Sequence, residues 1–149
     1  MTTKEQLQNA LKDAMRSGDE LRKRTLRMVI SAIRLAEVEK QAELDEQSVI
    51  AILQKDVKSH QETIAEAKQA NREDLVQTAQ AEVAVLESFL PQPMPATDLE
   101  ALARQAITET GANSPSDMGK VMKTLMPKVQ GRATGEQVSQ TVRRLLQGR

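Results

Sequence analysis

The chain has 149 residues, 39% apolar and 28% charged, with 21 Lys/Arg against 21 Asp/Glu. It holds no Cys, Trp or Tyr, one Phe and one His. Disulfides, thiol catalysis and cysteine zinc sites are thereby excluded. Ala, Leu, Glu, Gln, Lys and Arg dominate, and these are strong helix formers. Strand-favouring aromatics are almost missing, so composition points to an all-α fold.

The first helix shows at once, with Leu7, Ala10, Leu11, Ala14 and Met15 on one face. It stops at Ser17-Gly18, and Asp19 is placed to cap the next. The second helix is long. Its apolar stripe is read as Leu21, Thr25, Met28, Val29, Ala32, Ile33 and Ala36, and it frays near Ala42. Lys23, Arg27 and Arg34 form a basic stripe on its other faces, which reads first as a solvated helix surface. Asp45 opens the third helix, with a seam of Val49, Leu53, Val57, His60, Ile64 and Ala67, and Asn71 breaks it in a left-handed conformation. A fourth carries Leu75, Val76, Ala79, Val83, Leu86 and Leu90. These four read as a small bundle.

The segment "LPQPMPAT" follows. Pro91, Pro93 and Pro95 at alternate positions forbid a helix and favour an extended strap. The expected layout is an N-terminal four-helix bundle-like subdomain (residues 1–92), a Pro-rich linker (91–95) and a smaller C-terminal three-helix subdomain (96–149). In the latter, Thr97 is expected to cap the fifth helix, which ends near Gly111. Ser114 is expected to cap the sixth, with Pro115 at its first position. Thr134 caps the seventh, with Gln137 three residues on. Pro127 and Gly131 are read as shaping the turn between the last two.

Candidate chemistry is sparse. His60 lies in an apolar seam without a second His or a Cys, so a structural role is expected. The acidic pairs Glu37/Glu39, Asp45/Glu46 and Glu73/Asp74 are expected to be surface charge. No catalytic residue, metal site or cofactor is expected. The N-terminus is amphipathic and charged, unlike a signal peptide, and no apolar run is long enough to span a bilayer. A cytoplasmic location and no membrane partner are therefore expected.

Charge is uneven. Residues 1–95 hold 13 Lys/Arg against 16 Asp/Glu, whereas residues 96–149 hold 8 against 5. The basic excess gathers in "DMGKVMKTLMPKVQGRATG" and the last helix: Lys120, Lys123, Lys128, Arg132, Arg143 and Arg144. Such a set beside glycines and a helix end suits a phosphate backbone. Taken alone, it reads first as an ordinary helical corner, in which Gly131 ends one helix and Thr134 starts another.

Three stretches, "TLRMVISAI", "NREDL" followed by "AEVAVLESFLP", and "DMGKVMKTLMPKVQGRATGEQVSQTVRRLL", resemble the GatB/YqeY family over nearly the whole chain. Asn71, Ala79 and Phe89 depart from its usual pattern. That family includes the tail domain of the B subunit of glutamine-dependent tRNA amidotransferases, which are carbon–nitrogen ligases with glutamine as amido donor. The resemblance implies two helical subdomains. It also implies a tRNA-binding accessory module without a catalytic centre of its own, because no amidase signature or nucleotide loop is present. The six cations above are then its expected RNA contacts. The alternative is an adaptor docking on an aminoacyl-tRNA synthetase or amidotransferase subunit.

Overall fold

The computed structural model describes residues 1–148. They form seven α-helices and no strand. The chain divides into two compact units, Met1–Leu90 and Pro91–Arg149.

The first unit contains α1 (Thr3–Ser17), α2 (Glu20–Lys40), α3 (Glu46–Gln69) and α4 (Glu73–Glu87). The starts of α1, α2 and α3 have local causes. Thr2 and Glu5 form a reciprocal capping box on α1, and Gly18 closes it in a left-handed conformation. Asp19 and Asp45 accept the backbone N–H of Arg22 and Ser48 at the starts of α2 and α3. Asn71, at φ 56°, ends the turn after α3. The core is aliphatic: Leu7, Leu26, Val29, Ile33, Val49, Leu53 and Leu86 are essentially inaccessible. Phe89 is partly buried, with the Arg22 guanidinium 5.6 Å above its ring.

One expectation about α2 fails. Its buried residues are Thr25, Leu26, Val29, Ile30 and Ile33, not the stripe through Met28 and Ala32. Met28 is 63% exposed. The true apolar face is rotated from the expected one by about 60° on the helix circumference. The cause is Leu26 and Ile30, longer and more apolar than Ala32 and Ala36, which take the core positions.

The acidic residues of this unit also depart from a uniform surface role. Glu37 accepts the Lys4 ammonium at 2.9 Å and the Leu44 backbone N–H at 3.0 Å. The Lys4 hydrogen bond first, and then the Leu44 N–H, hold its carboxylate below the usual range. Glu46 accepts both the backbone N–H and the hydroxyl of the buried Thr3. These two carboxylates fasten the start of α1 to the end of α2 and the start of α3.

The second unit contains α5 (Ala96–Thr110), a 3-10 turn (Pro115–Asp117), α6 (Met118–Val129) and α7 (Gly135–Gln147). Its core is Leu99, Ala103, Ala106, Ile107, Val121, Leu125, Val129, Val138, Val142 and Leu146, with methionines 94, 118, 122 and 126 packed around it. Met suits this place because its flexible thioether fills irregular gaps. Three local expectations are corrected. Pro95, not Thr97, precedes the first residue of α5, with no side-chain cap. Ser114 bonds Ser116 instead of capping a helix, and Pro115 opens a 3-10 turn that only then becomes α6. Pro127 lies inside α6. It is tolerated because it is exposed, so the Lys123 carbonyl it leaves without an amide donor is open to water.

Candidate nucleic-acid interface

The six cations singled out in the sequence all lie in the second unit, but they fall into two groups. Lys120 and Lys123 are exposed on the outward side of α6, opposite the buried Val121, Leu125 and Val129. One turn separates them, so their stems project side by side. Arg143 is exposed on α7. None of the three forms an ion pair among the described residues. The Lys120 charge does lie near Asp117, whose carboxylate sits below its usual range. The largest cause of that shift is the Asn113 backbone N–H, which it accepts at 3.1 Å.

The other three are engaged within the unit. Lys128, in the last turn of α6, meets Glu109 of α5 at 2.9 Å. Arg144 points from a different flank of α7 than Arg143 and meets Glu100 at 3.3 Å. It edges a shallow groove whose floor includes Met94 and Leu99. Both pairs are surface ion pairs and hold their cations only weakly. Arg132 is different. Its Nε donates to the Gln92 carbonyl at 3.1 Å, and its own carbonyl accepts the Met94 N–H at 2.8 Å. This double clip fastens the Pro-rich strap to the α6–α7 turn. The Arg132 N–H also donates inward, to Val129, so this turn amide does not face solvent. Capping at the start of α7 engages the Gln137 N–H through Thr134.

Sequence reading missed one cluster in the first unit. His60 on α3 is half-buried at the bundle edge, not in a purely apolar seam. Its Nδ1 lies 2.8 Å from the Asp56 carbonyl, and its Nε2 lies 2.9 Å from Glu82 on α4. Arg24 of α2 stands 3.6 Å from the other Glu82 oxygen. Burial alone would lower the His60 pKa. The Asp56 carbonyl and the two carboxylates outweigh it and raise the pKa above 6.5. The Asp56 carboxyl is pushed up, chiefly by burial. No signal linked His60 to Glu82 in advance, because they lie 22 residues apart on separate helices. The described residues hold no group of His, Cys, Asp or Glu arranged to bind a metal ion.

A family model described as Yqey-like protein matches residues 4–146, nearly the whole all-helical chain. The chain belongs to the YqeY-like family. Three curated relatives bear the name Altered inheritance of mitochondria protein 41, mitochondrial. The protein of Lachancea thermotolerans is 32% identical over 74% of this chain and 60% of its own length. That of Pyrenophora tritici-repentis is 30% identical over 94% and 78%, and that of Kluyveromyces lactis is 34% identical over 74% and 61%. The YqeY-like chain thus spans about three fifths of two of these relatives. Their names overturn the expectation of a cytoplasmic location, since each is a mitochondrial protein. The physical reason is plain: lacking a signal peptide and a long apolar helix does not separate cytoplasm from an organelle interior.

Proposed function

We propose that the C-terminal unit grips RNA by its sugar–phosphate backbone, and that the chain is a tRNA-binding accessory module of the kind attached to glutamine-dependent tRNA amidotransferases. The observation that carries this is the pair Lys120 and Lys123. Two ammonium groups one turn apart, exposed and in no ion pair among the described residues, in a unit with a cationic excess, suit paired phosphates. Arg143 adds a third free cation. Lys128 and Arg144 become available if phosphate replaces Glu109 and Glu100, at little cost for exposed pairs. Arg132 drops out of the contact set because the strap needs it.

Recognition follows shape and charge. The chain offers no Trp or Tyr, and Phe89 is partly buried beneath Arg22, so unstacked bases have no platform. The module supplies position, and amide-transfer chemistry belongs to a separate catalytic partner. Crosslinking in cells, followed by sequencing of the RNA bound to the intact chain, tests this reading. tRNA should be enriched, with the crosslinked peptides drawn from α6 and α7. An RNA-free chain, or crosslinks confined to α1–α4, would contradict it.

A further inference from the structure

The core leaves one face of α2 uncovered. Arg24, Met28, Ser31, Leu35 and Val38 follow at alternating steps of four and three, the spacing of a helix–helix seam. They lie opposite the buried Leu26, Val29, Ile30 and Ile33. Met28, Leu35 and Val38 are 63%, 61% and 72% exposed, an unusual concentration of aliphatic surface on one helix line. Ser31 and Ala32, both small and exposed, allow close approach at its middle. Arg27 and Arg34 run seven residues apart along one flank, exposed and free of ion pairs among the described residues.

We propose that this face docks an amphipathic helix of a partner protein, whose apolar seam is edged by carboxylates that meet Arg27 and Arg34. Charge complementarity selects this occupant. A second copy would bring Arg24, Arg27 and Arg34 of both chains to one seam, against two exposed acids of α2, Glu39 and Glu20, the latter already paired with Lys23 at 3.1 Å. A single helix pair also buries less than the roughly 1,200 Å² of a stable interface, so attraction between charges must support it. An anionic bilayer is disfavoured because the apolar line is only about 15 Å long and holds no aromatic anchor of the kind membrane-surface helices use. The inference is independent of RNA binding, which involves the other unit.

The test uses the full chain and a fluorescent synthetic helix of about 20 residues. The peptide has a leucine seam and two glutamates seven residues apart on one edge. Anisotropy titration should show saturable binding with a dissociation constant on the order of tens of micromolar, in keeping with a small interface. Leu35→Asp should abolish binding without changing the melting temperature, since this side chain is exposed. Arg27→Glu with Arg34→Glu should weaken binding about tenfold, and a peptide carrying lysines at the two edge positions should recover it. No binding by the wild type, or equal binding of the acidic and basic peptides, would overturn the proposal. So would a wild-type dimer in sedimentation that Leu35→Asp dissolves, or capture by phosphatidylserine vesicles that Leu35→Asp removes.

Discussion

Gln41 and Gln130 close α2 and α6 with φ angles of 57° and 53°. A residue with a β-carbon pays about 1–2 kcal/mol there, and both side chains are exposed, so nothing in packing returns it. Gln41→Gly and Gln130→Gly should each raise stability by up to about 1 kcal/mol, after the greater freedom of glycine in the unfolded chain is subtracted. Urea midpoints measure this, and a lowered midpoint would contradict the assignment of strain. Asn71, in the same conformation, was legible because Asn tolerates it. Glutamine carries no such signal. The cations show the same divide. Lys120 and Lys123 stand out by spacing alone. The engagement of Lys128, Arg132 and Arg144 was hidden, because their partners Glu109, Gln92 and Glu100 lie 19, 40 and 44 residues away.

Helix boundaries at Gly18, Asp19, Asp45 and Thr134 were legible in local chemistry, whereas the Thr2–Glu5 box, just as local, was overlooked. The phase of α2 was not legible, since so many of its residues are apolar that periodicity allows two stripes. Its exposed face therefore emerged only from packing. Contacts between helices follow the same rule, and His60 shows the consequence. The His60 pKa is raised in the fold, so protonation favours the native state. That contribution is fully present below the unfolded value of about 6.5 and is lost as pH rises through the higher folded value. Asp56, also raised, acts in the same direction at lower pH: stability is lost as pH rises from about 3.8 through its folded pKa. Groups facing His60 are Asp56, Glu82 and, through Glu82, Arg24. Denaturation series should therefore show the wild type losing stability as pH rises from about 6.5. His60→Gln should flatten this slope. Equal slopes for both proteins would remove the coupling between α3 and α4.

Two separate aliphatic cores imply two responses to damage. Leu26, at the centre of the first core, and Leu125, at the centre of the second, are both fully buried. Replacing either with Ala should cost about 2–5 kcal/mol. If the units fold independently, Leu26→Ala lowers the melting of residues 1–90 and Leu125→Ala that of residues 91–149, each leaving the other unchanged. Amide exchange read by mass spectrometry resolves the two, and coupled loss of protection would make them one cooperative body. The Arg132 clip places the strap with the second unit, so brief proteolysis should cut ahead of Ala96, near Leu90.

Function at this scale rests on whether the free cations of α6 touch phosphate. Labelled tRNA titrated at several salt concentrations, with wild type and Lys120→Ala/Lys123→Ala side by side, asks this directly. Each phosphate contact releases condensed counterion, so the logarithm of affinity falls linearly with the logarithm of salt. Wild type should bind with a dissociation constant on the order of micromolar or weaker at physiological salt. The double variant should melt normally, bind more weakly and show a slope shallower by about two. Equal slopes for the two proteins would mean that these lysines touch no phosphate and that the α6 surface is only a helical corner.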